Sequence, residues 1–284
     1  MMKKINNINI NNNNNNNKER IQKKLANAGV ASRRAIETMI KNGEITVNNS
    51  PAELGQKISD TDQILIKGKK LDLLKNINSN LNINRTIKHE VLLYHKPTGE
   101  ICSRSDPNHN NTVFKNLPKL DFGRWIQIGR LDLNTSGLLL FTTDGMLANN
   151  LMHPKQQISR VYLTRIFGDL NNIRNAISKL LAGVKLQDGM AKFTDIKLIQ
   201  KTDSNKNISQ NNSKNTWLEC ELKEGRNREV RRLWESQDFQ VNRLIRIEFA
   251  GINLPKSIKA GEFNKLSNKQ ISSLYKQANL KQST

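Results

Sequence analysis

The sequence predicts an α+β protein in two parts: a small helix–turn–helix–strand unit, then a larger domain on a mainly antiparallel central sheet. Three observations carry that expectation. In the larger part, strand-like and helix-like runs mix without a regular β-α-β beat, which argues against a doubly wound parallel sheet. The run Leu138-Leu139-Leu140-Phe141 is apolar throughout and bounded by turn residues, as a core strand is. A polar, Asn-rich stretch at residues 69–87 sustains no apolar period and separates the two parts as a linker.

Taken in order, residues 1–17 are a low-complexity Asn tract that has too little apolar surface to bury, and a disordered tail is expected. Residues 18–68 form the small unit. Ile21, Leu25 and Ala28 recur at helical spacing between Glu19 and Ala28, and Gly29 ends that helix. Ser32 is placed to cap a second helix over Arg33–Lys41, with Ala35, Ile36, Met39 and Ile40 facing inward and Asn42-Gly43 closing it. Short strands are expected at Ile45–Val47 and Ile64–Ile66, with a turn at Asp60-Thr61-Asp62.

The larger domain is expected over residues 88–262. Strand-like runs fall at Val91–Tyr94, Trp125–Gly129, Leu138–Phe141, Val161–Phe167, Thr194–Leu198 and Trp217–Leu222. Helix-like runs fall at Met146–Met152, Asn172–Leu181 and Arg226–Ser236. Residues 202–216 read as a disordered insertion. A helix over Asn264–Leu274 and a loose tail complete residues 263–284.

Composition narrows the partner. Lys+Arg is 46 against 25 Asp+Glu, a formal net charge of +21 with a pI near 10.1. So basic a chain calls for a polyanion, nucleic acid first and an anionic membrane surface second. No run of apolar residues is long enough to span a bilayer, and the N-terminus lacks the apolar core of a secretory signal, so the cytoplasm is the default location. Cys102 and Cys220 lie far apart with no CxxC spacing, and His89, His95, His109 and His153 are scattered. Neither a disulfide framework nor a metal site is expected.

Residues 129–145 read GRLDLNTSGLLLFTTDG. Asp132 falls on the loop that leads into the Leu138–Phe141 strand, at the lip of a rigid sheet, where catalytic groups tend to lie. By residue type alone, an Asx-turn or a plain loop carboxylate is the ordinary role of such an aspartate. The spelling of the whole segment adds to that: it resembles the signature of the RNA pseudouridine synthases, in the branch that carries an N-terminal S4 domain. KKLANAGVASRRAIETMIKNGEITVNN, residues 23–49, resembles the S4 (α-L) RNA-binding domain in turn. The likeness covers roughly residues 19–68 and 90–262.

The resemblance implies the pseudouridine synthase fold, with its central sheet and an RNA cleft across it, and it implies roles. Asp132 would be the catalytic aspartate. In EGRNREVRRLWES, residues 224–236, the family's arginine that pairs with that aspartate matches Arg231, with Arg232 next in line and Arg130 a further possibility by sequence proximity. Tyr162 in SRVYLTR matches a strand tyrosine whose ring packs on the target base; the family often has Lys or Glu just before it, where this chain has Arg160-Val161.

Arg20, Lys23, Lys24, Arg33, Arg34 and Lys41 would meet RNA phosphates from the S4 unit, where residues 18–44 hold seven Lys/Arg against three Asp/Glu. Arg130, Arg226, Arg228 and Arg232 would do so from the larger domain, and Arg124, Arg165, Arg243 and Arg246 are further groove candidates. As ordinary protein chemistry, basic helices present solvated charged faces, and a lone strand tyrosine fills a core.

Pseudouridine formation breaks the N1–C1′ bond of a uridine, turns the uracil and rejoins it through C5. It is redox-neutral and loses no group, so no cofactor is expected. A carboxylate at C1′ is needed, as nucleophile or as base toward C2′, and the residues leave both routes open. Leu151-Met152-His153-Pro154, the third motif and Val241–Ile247 with Leu254-Pro255 resemble the large-subunit lineage, which implies 23S ribosomal RNA as partner. A monomer is the default for a cleft enzyme acting on a bulky RNA, and neither a metal nor a membrane is expected as partner. A small-subunit (16S) enzyme and a non-catalytic assembly factor are the other readings.

Overall fold

The computed structural model describes residues 18–28, 30–59, 61–71, 89–104, 106–120, 123–199 and 215–281. The Asn tract, most of the expected linker and most of the expected insertion lie outside them, as do Gly29 and Asp60. One unit forms over Lys18–Leu71 and another over nearly all described residues from His89 onward.

In the first unit, β1 (Glu19–Arg20) pairs with β4 (Lys57–Ile58), so the first helix, α1 (Ile21–Asn27), starts two residues later than its spacing predicts. α2 (Arg33–Lys41) begins at the expected cap: the Ala35 amide donates to Ser32 Oγ at 3.1 Å. Four short strands make an antiparallel sheet, β2 (Ile45–Val47), β3 (Ser50–Pro51), β5 (Ile64–Ile66) and β6 (Lys69–Leu71), in the order β3-β2-β5-β6. Ile21, Leu25, Ile36, Ile45, Ile58 and Ile64 are fully buried between helices and sheet. Burial of that size, at about 1.5–3 kcal/mol per side chain, holds so small a unit together. β6 corrects the boundary at 68: residues 69–71 belong to this sheet and not to a linker.

Among the described residues the second unit is built on a sheet of nine strands: β7 (Val91–Lys96), β8 (Ile126–Ile128), β9 (Ser136–Thr142), β10 (Arg160–Phe167), β13 (Asp195–Leu198), β14 (Asn215–Leu222), β15 (Val241–Phe249), β16 (Ile252–Asn253) and β17 (Phe263–Lys265). Their main order is β13-β14-β10-β15-β9-β7-β17. A separate hairpin joins β11 (Val184–Leu186) to β12 (Gly189–Ala191). Every pairing in the large sheet is antiparallel except β9 with β15. The predicted class therefore holds.

All seven residues of β9 are buried, as its apolar run predicts. At its start Gly137 has φ +109°, and a Cβ there would stand 2.3 Å from the Arg246 carbonyl oxygen. The close parallel approach of β9 to β15 thus requires glycine. At its end Asp144 caps α3 (Gly145–Met152), accepting from the Met146 amide at 2.7 Å and from Tyr275 Oη at 2.6 Å.

α4 (Leu170–Ala182) packs Ile173, Ala176 and Leu180 into the core that also holds Phe193, Leu218 and Trp234. α5 (Glu229–Glu235) is shorter than predicted: Arg228 takes a left-handed φ of +49°, so Arg226-Asn227-Arg228 form a loop before the helix. The C-terminal segment also differs from expectation. Phe263–Lys265 is a strand on β7, and the helix, α6 (Asn268–Gln277), starts after it behind a Ser267–Gln270 capping box. Ile271, Leu274 and Tyr275 are buried in the main core, so this segment is part of the second unit and not an appendage.

Candidate active site

Two of the three catalytic candidates, Asp132 and Tyr162, line one cleft. It has a volume of about 690 Å³ and lies across the β10–β15 floor, between the loop before β9 and the loop before α5. A volume in the range of ordinary ligand pockets suits a nucleotide-sized group. Asp132, Tyr162, Arg130, Arg226 and Arg228 all line it. Arg231, Arg232, Arg165 and Arg243 do not.

Asp132 sits on the loop from Gly129 to Thr135. Gly129, at φ +78°, turns the chain out of β8, and the Thr135 amide donates to the Asp132 carbonyl at 3.0 Å. Leu131 anchors the loop in the core beside Tyr162, and its amide donates to Cys102 Sγ at 3.3 Å. The carboxylate itself makes no hydrogen bond or ion pair among the described residues, so both its oxygens are available to a substrate.

Two buried cations hold the backbone around it. Lys96, fully buried at the end of β7, donates from Nζ to the carbonyls of Pro97 and Thr135 at 2.8 Å each and of Leu133 at 3.4 Å. That uses all three ammonium protons. Arg231, on α5, donates from Nη1 to the Val241 carbonyl at 2.7 Å and from Nη2 to the Asn134 carbonyl at 3.1 Å. The ion pair expected between Arg231 and Asp132 is not formed: the guanidinium fork is already committed to the Asn134 carbonyl of the loop and the Val241 carbonyl of β15. The charges still act on one another. Burial pulls the Arg231 pKa down, Arg228 adds to that, and Asp132 opposes it. Lys96 is likewise lowered by burial, with Cys102, Glu100 and Asp132 acting against the shift.

Tyr162 lies on β10 opposite Cys220 of β14 and Arg246 of β15. The register of β10 on β15 slips between Val161 and Tyr162, which brings Arg246 directly across from the tyrosine and keeps both on the cleft face. Its ring is 8% exposed, packed with Leu131, Leu222 and Leu244, and its hydroxyl makes no hydrogen bond among the described residues. It is thus both core filler and cleft wall.

The basic residues expected to meet RNA fall into two groups. Arg226 and Arg232 are already neutralised. Arg232 grips Asp188 with two bonds of 2.8 Å, and Arg226 bonds Glu224 through Nε at 3.0 Å and the Met190 carbonyl at 2.8 Å. They tie the α5 region to the β11–β12 hairpin, so both guanidiniums are engaged within the fold. Arg228 pairs with Glu235 at 3.4 Å, Lys23 pairs with Glu19, and Lys24 is engaged within the structure. Arg20, Arg33, Arg34 and Lys41 on the first unit, and Arg130 at the cleft, are exposed and carry no ion pair among the described residues.

Three residues carry no role in the sequence reading: Arg160 and Glu229, which line the cleft, and Lys96, which holds the Asp132 loop. Lys96 had a signal: Leu92, Tyr94 and Lys96 share one face of a strand by parity. Arg160 had the same, two residues before Tyr162. Glu229 is 3% exposed and accepts the Arg226 amide at 3.0 Å; burial first, and then the adjoining Glu224 carboxyl, push its pKa up to about 7. Nothing in the spelling of a charged helix start marks it as buried.

The family model described as RNA pseudouridylate synthase matches residues 90–236, and that of the S4 domain matches residues 19–64. The chain is 43% identical over 263 residues to the ribosomal large subunit pseudouridine synthase B of Pseudomonas aeruginosa, covering 93% of this chain and 63% of that protein. It is 45% identical over 258 residues to the protein of that name from Haemophilus influenzae, covering 90% of this chain and 67% of that protein. Against the one from Buchnera aphidicola subsp. Acyrthosiphon pisum it is 42% identical over 267 residues, and the coverage is 93% and 99%. The chain therefore spans about two thirds of the length of the first two relatives and nearly all of the third. A crystal structure of a pseudouridylate synthase superposes with a TM-score of 0.57 at 22% identity, over 90% of this chain and 99% of that one, a likeness of fold.

Proposed function

The chain belongs to the RNA pseudouridylate synthase family, in an arrangement with an N-terminal S4 domain, and from that premise we propose that it isomerises a uridine of large-subunit (23S) ribosomal RNA to pseudouridine, with Asp132 as the catalytic carboxylate. The observation that carries the reading is the unpartnered Asp132 carboxylate in a basic cleft whose floor holds Tyr162. Relatives over 40% identical along most of the chain, each named as a large-subunit synthase, support the choice of RNA.

The residues divide the work as follows. The uridine leaves its stack to reach the cleft, at an unstacking cost of a few kcal/mol repaid by contacts in the pocket. Tyr162 offers its ring to the uracil. Asp132 meets the sugar at C1′ or C2′ while the N1–C1′ bond breaks. The uracil turns, C5 bonds to C1′, the C5 hydrogen leaves as a proton, and N1, freed of the sugar, takes a proton, so that the product is an isomer of the substrate. Lys96 and Arg231 keep the Asp132 loop fixed through this cycle without touching the reacting atoms. Arg20, Arg33, Arg34 and Lys41 hold RNA backbone at the S4 domain and set no sequence preference there.

Pseudouridine mapping on unmodified 23S and 16S transcripts, after incubation with the protein, tests the reading. A new site in 23S is expected. A site in 16S alone moves the enzyme to the small subunit, and no site in either RNA, alongside tight binding, favours an assembly role.

A further inference from the structure

Two arginines in the cleft floor have no ordinary explanation. Arg160 is 9% exposed and Arg246 is 2% exposed, and both line the cleft. Their guanidinium carbons lie 5.3 and 5.0 Å from the centre of the Phe249 ring. Each has one hydrogen bond to backbone: Arg160 Nη1 to the Ile158 carbonyl at 2.6 Å, and Arg246 Nε to the Leu138 carbonyl at 2.8 Å. A guanidinium carries five N–H donors, so most remain unused. Arg246 Nη2 is buried with no partner at all. Neither arginine has an ion pair among the described residues.

Buried cations without a counter-charge are costly, and a buried pair of them more so. Burial lowers the Arg160 pKa; Tyr162 opposes that, Arg246 lowers it further, and Glu229 and Glu224 pull the other way. Those two carboxyls do not close on Arg160. Glu229 is bonded to the Arg226 amide, and Glu224 to Arg226 Nε. Asp132 shares the cleft without bonding either arginine. The ring of Phe249 softens the cost through cation–π attraction, but it supplies no acceptor for the idle N–H groups.

We propose that Arg160 and Arg246 form a phosphate subsite, which takes a backbone phosphodiester of the RNA beside the base that packs on Tyr162. The proposal rests on the RNA-modifying reading above. Its position follows from register: Arg246 stands across from Tyr162, and Arg160 lies two residues before Tyr162 on β10, across from Phe249. Its chemistry follows from the donors, since planar N–H forks match phosphate oxygens better than any other anion-binding side chain. Gly225 keeps the site open: a Cβ there would lie 3.2 Å from Arg160 Nε.

The test uses the full chain and a synthetic stem-loop around the mapped uridine, with single phosphates near that uridine replaced by neutral methylphosphonates. In the wild-type protein one such replacement is expected to lower kcat/KM about 10- to 100-fold, the size of a lost charged hydrogen bond. In Arg160→Gln or Arg246→Gln the same replacement should cost less than about 2-fold, since the contact is already gone. Equal penalties in wild-type and variant proteins would overturn the subsite.

A second readout needs no turnover: the slope of log Kd against log salt for unmodified 23S transcript should fall by about 0.7–0.9 per lost contact. An unchanged slope in both variants would also overturn it. A wild-type protein that makes no pseudouridine, with slopes that still fall in the variants, would sink the activity and leave the phosphate site standing. Gly225→Ala keeps both charges while crowding Arg160, and a raised KM with native thermal stability is expected; an unchanged KM counts against the site.

Discussion

Arg231 donates to the Asn134 carbonyl at 3.1 Å, two residues past Asp132, and not to the Asp132 carboxylate. The arginine therefore fixes where the carboxylate stands by holding its backbone, with the Val241 carbonyl as the other jaw of the clamp. A lysine keeps the charge but cannot span two carbonyls with a planar fork. Arg231→Lys is expected to lower kcat with little change in KM and to cost about 2 kcal/mol of stability. Steady-state kinetics on 23S transcript, beside thermal unfolding, checks it; wild-type kcat in the lysine variant would assign Arg231 a purely electrostatic role.

Lys96 clamps the same loop through the Leu133 and Thr135 carbonyls. Lys96→Met takes a donor from the Pro97 and Thr135 carbonyls in a buried site, while the Leu133 carbonyl keeps the Gly99 amide, and a loss of about 3 kcal/mol is expected. Activity should fall further than the folded fraction does, because the loop that carries Asp132 loses its register. Specific activity measured well below the melting temperature separates the two effects.

Gly137→Ala tests the contact between β9 and β15. A Cβ 2.3 Å from the Arg246 carbonyl oxygen forces the strands apart, and the φ of +109° adds strain for any side chain. The expected cost is about 3 kcal/mol, seen as a lower denaturant midpoint with an unchanged m-value. Because the displaced residue is Arg246, RNA affinity at the cleft should fall with it.

Glu229 gives the fold a pH dependence. Its folded pKa of about 7 lies above the ordinary 4.5, so the native state binds the extra proton. The stabilising effect of protonation is complete below about pH 4.5 and is lost as pH rises through 7. Glu229→Gln keeps an acceptor for the Arg226 amide and removes the titration. Its melting temperature should exceed that of the wild type at pH 8 by more than at pH 5, with a limit of about 3 kcal/mol between them. Parallel pH profiles would show that Glu229 is ionised throughout.

The main features of the fold were legible because each had a local signal. The unbroken apolar run Leu138–Phe141 marked a strand covered on both faces, and Ser32 marked a helix start. What escaped lacked one. Phe263–Lys265 is a three-residue strand whose partner lies about 170 residues earlier in the chain, and its Asn264 and Lys265 read as helix surface. The early end of α5 turns on Arg228 at positive φ, which nothing in EGRNRE announces.

At the site, Asp132, Tyr162 and Arg231 were named from the spelling of three motifs. That spelling says nothing of which arginines are already spent on carboxylates, as Arg226 and Arg232 are on Glu224 and Asp188, and which stand idle, as Arg160 and Arg246 do. The Arg232–Asp188 pair is set by the tertiary approach of the β11–β12 hairpin to α5.

In the proposed reaction the Asp132 carboxylate carries the isomerisation. Rejoining uracil through C5 expels the C5 hydrogen, so tritium release from 23S transcript labelled with [5-³H]uridine reports the step directly. Wild-type protein should release tritium, and Asp132→Asn should fall at least about 10³-fold while binding the transcript with nearly unchanged Kd. Release by Asp132→Asn near the wild-type rate would contradict the account.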